Sequence, residues 1–298
     1  MDLVVGVDCG ASHLRVGLFK PQGRLLSRKR INSPLRFHPD SFGERVVEVV
    51  SELINQTGFM SPKVVGLGIG VPGPIDMKSG LILPSANLGN SQPIEIIKQF
   101  DNKDYGLILI DRDTNVALLG EVWQGAARFE KNVVMLTLGT GVGGAVLING
   151  ELSRGENNQA GELGHIYLVA PLEVKDKQLL QDPIRSGKVD GEIPRCGLGH
   201  VGCLEAWIKS TEDLDLIGTY LGYGLANIVD IFNPKKVLIG GGMVALGDFL
   251  PKAVEVMKRV GVKPLVDEVE VLYATLGDKS GIYGAAQLVV NALKLPND

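Results

Sequence analysis

The sequence predicts an α/β fold built as two similar halves, and three observations carry that prediction. Residues 3–30 read as strand, glycine turn, strand, turn and strand: LVVGVD, CGASH, LRVGLF, Pro21-Gln22-Gly23 and RLLSRKR. Residues 133–152 repeat the arrangement as VVMLTL, GTGVG, GAVLI, an Asn149-Gly150 turn and a further strand start, as a duplicated architecture would. Each meander is followed by a buried strand that ends in glycine, KVVGLGIG at 63–70 and KKVLIGGG at 235–242.

The remaining elements follow in chain order. Ser41 opens a capping box with Glu44, and Phe42, Val46, Val49 and Leu53 recur at helical spacing up to Gly58. LILI at 107–110 is a buried strand ending at Asp111-Arg112-Asp113, and Thr114-Asn115 can cap the helix VALLGEVWQ behind it. Asp113 thereby falls at a strand's carboxyl end, the edge where α/β folds bind ligands. A helix over 220–232 precedes the strand at 235–242, and Gly240-Gly241-Gly242 opens a helical region at Met243.

Composition narrows the function. With 298 residues, 45% of them hydrophobic, the chain can bury a substantial core, as one large domain or two moderate ones. The 34 acidic and 30 basic side chains leave a net charge of -4, which argues against nucleic acid as partner. Apolar stretches are short and broken by Gly, Asp or Asn, so neither a membrane span nor a leader is expected. Three cysteines, Cys9, Cys196 and Cys203, are an odd count that speaks against a disulfide framework and for the reducing cytoplasm. Glycine is unusually abundant, 39 of 298 residues or about 13% against the usual ~7%, and it clusters in turns beside apolar runs.

Those turns are where chemistry is expected. The turn at 9–13 carries Gly10 and Ser12, and the turn at 139–144 carries Gly139, Thr140 and Gly141. Glycine lets backbone N–H groups approach phosphate oxygens closely, and a hydroxyl adds a donor. With the turn at Gly241 and Gly242, these features predict a nucleotide lying between two halves. Asp8, beside the first turn, is placed either to orient Mg²⁺ or to cap the turn.

Taken together, these segments resemble the ROK family of sugar kinases and regulators, in the hexokinase/actin superfamily. VGVDCGASHLRVGLF resembles the family's first phosphate motif, and GIGVPGPIDMKSGLILPSANLG its P-G-P-x-D…N-L segment. DRDTNVALLGE, LTLGTGVGGAVLINGEL, AGELGH, IVDIFNPKKVLIGGGM and LGDKSGIYGAAQLV match further family segments in order. The resemblance implies a duplicated actin-like, ribonuclease H-like two-lobed fold with a central cleft. It implies a small lobe over 1–113 plus 283–298, closed by the C-terminal helix, and a larger lobe over 114–282. It further implies an ATP- and Mg²⁺-dependent kinase that phosphorylates a hexose or an amino- or acidic sugar, with Asp113 as general base. Asp111 is the weaker candidate for that role. Gly73, Asn87, Arg112, Asp113, Glu162, His165 and Glu205 are the implied substrate contacts. The implied nucleotide contacts are Asp8, Gly10, Ser12, Thr137, Gly139, Thr140, Gly141, Gly241 and Gly242. A non-catalytic sugar- or nucleotide-binding paralogue, or a sugar-sensing regulator, is the alternative, although no helix-turn-helix is expected ahead of the first motif.

Three departures qualify the resemblance. The family binds zinc through three cysteines and the E-x-G-H histidine, whereas here Leu198 stands where the middle cysteine would be. His165, Cys196 and Cys203 remain, with His200 as candidate fourth ligand; zinc and a vestigial, metal-free loop are both open. The connection from His165 to Cys196 is long, including the 171–194 insertion, and the chain after Glu205 is short, which leaves a homodimer as an open expectation. Arg112 replaces a family Asn, so it either selects an anionic sugar or pairs internally with Asp111, Glu162 or Glu205.

Overall fold

A computed structural model describes residues 1–85, 88–168 and 193–296. Asn87 and most of the 171–194 insertion lie outside the described residues. By contacts the chain groups into two units: Met1–Glu130 with Val146–Ala160 and Ala274–Asp298, and Lys131–Ala145 with Gly161–Tyr273. The division expected from sequence falls instead at 113/114 and 282/283.

In the first unit, β1 (Asp2–Cys9), β2 (His13–Phe19) and β3 (Leu25–Asn32) form the predicted meander, followed by α1 (Phe42–Thr57) and β4 (Lys63–Val71). Short strands β5 (Ile75–Asp76), β6 (Leu81–Ile82) and β7 (Ile94–Glu95) make a small separate sheet before β8 (Leu107–Arg112) and α2 (Asp113–Gln124). The main sheet runs β3-β2-β1-β4-β8. Alternation along β1 sorts its side chains by face: Leu3, Val5 and Val7 join the core with Phe42, Val46, Val50 and Leu53 of α1. Val4 belongs to the opposite cluster, with Trp123 and with Ile282, Ala286 and Val289 of the last helix.

The second unit starts with β9 (Val133–Leu138) and β10 (Val142–Ile148), the latter running across the boundary and pairing with β11 (Glu151–Leu152). Then come α3 (Leu204–Lys209), α4 (Leu214–Phe232), β12 (Lys236–Gly240), α5 (Leu250–Val260), α6 (Leu265–Glu268) and β13 (Glu270–Tyr273). The sheet order β11-β10-β9-β12-β13 repeats that of the first sheet, a meander extended by two parallel strands. The chain ends in α7 (Ser280–Ala292), which belongs to the first unit.

Glycine decides where α7 lies. A Cβ at Gly6 or Gly68 would stand 1.9 Å from Ile282 O or 1.8 Å from Ala285 O, so the helix backbone rests directly on β1 and β4. The α2–α7 crossing is as close, since a Cβ at Gly284 would meet Val116 O at 1.6 Å.

Three boundaries differ from the sequence expectation. Ser41 makes no side-chain cap; its hydroxyl donates to His38 O at 2.8 Å, because Pro39–Ser41 already form a 3-10 turn ahead of α1. Helix α2 starts at Asp113, three residues before the expected first helical residue Val116, because β8 runs through Arg112 directly into it. Helix α4 starts at Leu214 rather than Tyr220, since Asp213 Oδ1 accepts from the N–H groups of Asp215 and Leu216. No described helix is long and apolar enough to cross a membrane.

Candidate functional site

The strand register of the first sheet lines up the acids that the sequence singled out. Asp8 pairs in register with Gly70 and Gly70 with Asp111, so both acids sit in one row at the carboxyl ends of parallel strands. Their environments differ sharply. Asp111 is 1% exposed, and its Oδ1 accepts from Arg112 N and from Asn115 Nδ2, each at 2.7 Å. Its Oδ2 accepts two bonds from Arg154, at 2.9 Å from Nε and 2.7 Å from Nη2. Asp113 is half-buried at the first position of α2, where its Oδ1 accepts from Thr114 N at 2.7 Å.

Asp8 is ion-paired with Arg15 at 3.1 Å, its side chain 15% exposed. Burial raises its carboxyl from the ordinary value of 3.8 to about 6; Arg15 opposes the rise, while the charges of Asp113 and Asp278 add to it. The neighbouring turn is closed by Gly10 N–H donating to His13 O at 2.9 Å, and the Ser12 hydroxyl lies on an exposed residue.

Arg112 is 4% exposed. Its guanidinium donates to Gln159 O at 3.3 Å and to Thr114 Oγ1 at 3.4 Å, and its Cδ would stand 3.1 Å from a Cβ at Gly73. Asp111, one of the expected acidic partners, is instead gripped by Arg154.

In the second unit the glycine turn after β9 is closed the same way, by Gly139 N–H donating to Gly141 O at 2.9 Å. It is clamped from outside. Glu205 is the second residue of α3, and its Oε2 accepts from Val142 N at 2.7 Å while Oε1 accepts from Gly197 N at 3.4 Å. Lys209, at the far end of α3, donates to Gly139 O at 3.0 Å. Thr140 is exposed and Thr137 half-buried.

The glycines of the turns separate into two kinds. A Cβ at Gly139 or Gly242 would meet nothing within 4 Å, and at Gly10 nothing nearer than His13 O at 4.0 Å, so space is open for a group to reach the backbone. Gly241 is structural: its φ is +93° and a Cβ would stand 2.2 Å from Leu138 O.

Glu162 precedes the 3-10 turn Leu163–His165 and His165 ends it, with His165 Nε2 3.8 Å from Glu162 Oε2. His165 Nδ1 faces Cys196 and Cys203, 3.9 Å from each sulfur. Burial holds the Cys203 thiol above its usual range, and Cys196 and Glu205 push the same way. His200 does not join these three donors; its ring meets that of His165 edge-on, with centroids 4.9 Å apart.

Sequence reasoning missed Arg15, Arg154 and Lys209. Arg15 was findable, since it is opposite Asp8 in the β1–β2 hairpin. Arg154 and Lys209 lie 43 and 70 residues from their partners, and no local pattern marks such contacts.

Comparison with known proteins bears on the family and the fold. The ROK family model matches residues 4–212 and 207–292. A glucokinase of Halalkalibacterium halodurans is 28% identical over 96% of this chain and 94% of its own. A beta-glucoside kinase of Klebsiella pneumoniae is 27% identical over 99% of this chain and 98% of its own. The crystal structure of a ROK hexokinase from Thermus thermophilus superposes with a TM-score of 0.76, at 26% identity, covering 98% of this chain and 99% of that one. The chain has the actin-like α/β fold of these relatives and belongs to the ROK family.

Proposed function

We propose that the protein is a sugar kinase that transfers the γ-phosphoryl group of ATP to a hydroxyl of a hexose or hexose derivative, with Asp113 as general base. One contrast carries this reading. Of the two acids at the end of β8, Asp111 has both oxygens committed to Arg112, Asn115 and Arg154, whereas Asp113 is half-exposed at the N-terminus of α2. The relatives named glucokinase and beta-glucoside kinase support the substrate class.

Phosphoryl transfer requires in-line positioning, neutralisation of charge and a carboxylate that takes the hydroxyl proton. Asp113 takes that proton from the sugar. In the first unit the open backbone at Gly10, with the Ser12 hydroxyl, suits a phosphate; in the second the open backbone at Gly139 and Gly242, with Gly141 and Gly241 shaping the same turns and Thr137 and Thr140 adding hydroxyls, suits a nucleotide. Asp8 Oδ2 is already paired with Arg15 at 3.1 Å, and burial together with Asp113 and Asp278 still disfavours its charge, which a further cation would offset. It would hold hydrated Mg²⁺, which supplies the positive charge that the β- and γ-phosphates require. Glu162 Oε2 and His165 Nε2, 3.8 Å apart, are spaced to share a sugar hydroxyl. Gly73 and Asn87 complete the sugar contacts, and Glu205 braces the glycine turn that it already bonds.

Arg112 plays a structural part in this reading. Its donors reach a carbonyl and a hydroxyl of its own unit, so a neutral hexose is the expected substrate rather than an acidic one. The test is ADP release over a panel of neutral, amino- and acidic sugars with saturating ATP and Mg²⁺. Turnover on a neutral hexose is expected. Sugar binding by calorimetry without turnover on any sugar would replace the kinase with a sensor.

A further inference from the structure

The Nδ1 of His165 and the thiols of Cys196 and Cys203 form a donor cluster for which the proposed phosphoryl transfer has no use. Their ligand atoms all lie within 4.8 Å of one another. His165 turns Nδ1 to the two sulfurs, 3.9 Å from each, so the ring nitrogen and both thiols converge on one point. Both thiols are buried, Cys196 at 8% and Cys203 at 0% exposure.

Backbone hydrogen bonds hold these donors together. Cys196 N donates to His200 O and Gly199 N to Cys196 O, each at 2.9 Å, which closes the hairpin around Leu198. Gly202 N donates to Pro194 O and Leu204 N to Ile166 O, also at 2.9 Å, and these bonds with the isolated bridge from Cys203 to Tyr167 dock Cys203 beside the residues that follow His165.

Two thiols and an imidazole are a soft set that selects zinc over the hard ions Mg²⁺ and Ca²⁺. A structural zinc takes four N or S donors, whereas three protein donors leave a position for water. Among the described residues the set stops at three. Leu198 supplies no donor atom and is 52% exposed, and His200 meets His165 edge-on instead of entering the cluster. The residues therefore do not fit a closed four-ligand site.

We infer that His165, Cys196 and Cys203 form a three-donor zinc site whose fourth position is open to exchangeable small ligands, and that Leu198 is what leaves it open. The zinc is consequently removable by chelators while the surrounding hairpin stays folded. This inference stands apart from the kinase reading, because its readouts are metal content and spectra rather than turnover.

The experiment uses the full chain, loaded with zinc for affinity and with Co²⁺ for spectroscopy, as wild type, Leu198→Cys and His200→Ala. Leu198 and His200 are both exposed, so these variants leave the core untouched. Wild type should bind one equivalent of zinc, and added imidazole or azide should shift the visible bands of its cobalt form. Leu198→Cys should tighten zinc at least tenfold, since even outer partners of metal ligands are worth about 10–100-fold, and should abolish the response to imidazole. His200→Ala should change neither. Wild type that binds no zinc at saturation, cobalt bands indifferent to imidazole, or an unchanged affinity in Leu198→Cys would each overturn the inference. So would loss of zinc in His200→Ala, which would make His200 the fourth ligand.

Discussion

The two sheets share one topology and use it differently. In each, an antiparallel meander is extended by two parallel strands, and the tight turn after the first strand is closed by its own glycine N–H. The first sheet ends in acids: Asp8 and Asp111 in one row, with Asp113 two residues on. At the matching edge of the second sheet, Thr137 pairs in register with Gly240, and the carboxylate that matters there, Glu205, arrives from α3. A duplicated backbone thus supplies two comparable turns, and side chains give one a row of acids and the other a braced backbone.

The largest expected effect removes the distinction at its source. Asp113→Asn should lower turnover by about 10²–10⁴, the usual worth of a positioned general base, with little change in melting temperature. Asp111→Asn tests the opposite property. It leaves Arg154 without its carboxylate and should lower stability by about 1.5–3 kcal/mol in denaturant titration, as expected for bonds to a charged group. Turnover should fall much less than in Asp113→Asn. If Asp111→Asn abolished turnover in a fully folded protein and Asp113→Asn did not, the two roles would be exchanged.

In the second sheet, Glu205→Gln should raise the KM for ATP by about tenfold, because it weakens a charge-assisted bond to Val142 N that holds the glycine turn. An unchanged KM would mean that the turn holds its shape without the brace.

Asp8 gives a pH-dependent contrast. Its carboxyl ionises near 3.8 in the unfolded chain and near 6 when folded, so between those values the folded state holds the proton more tightly. Stability of the nucleotide-free protein should therefore decline as pH rises from about 4 to 6 on account of this group, and stay at the lower level above 6. Asp8→Asn should flatten that decline and raise the melting temperature at pH 7.5, while weakening Mg²⁺-ATP binding. A steeper decline in the variant would contradict the burial that raises this carboxyl.

The smallest effect concerns Arg112. Arg112→Asn should change the KM for a neutral hexose by less than about tenfold while lowering stability, because bonds to a carbonyl and a hydroxyl are lost. A selective loss of activity on an acidic sugar would restore Arg112 as a selector of anions.

Some of this was legible in the amino-acid order alone. The strand, glycine turn and strand order of LVVGVD, CGASH and LRVGLF marked β1, apolar runs ending in glycine marked β4 and β12, and Asn149-Gly150, with φ of 53° and 85°, made the turn its dipeptide demands. These features follow from neighbours in sequence, so a linear reading finds them. Helix starts were less legible: Ser41 had the cap signature, but the preceding Pro39–Ser41 turn used its hydroxyl.

What the sequence by itself determined, then, is the duplicated α/β architecture, the position of the glycine turns and the identity of the acids near them. Which acid is sequestered was decided in tertiary structure, because Arg154 reaches Asp111 across 43 residues and a buried carboxylate persists only where donors converge. The same holds for the brace from Glu205 to Val142 across 63 residues, and for the three donors at His165, Cys196 and Cys203. Hydrogen bonds and metal ligation act over about 2–3 Å, so partners distant along the chain are joined only by the fold that brings them together.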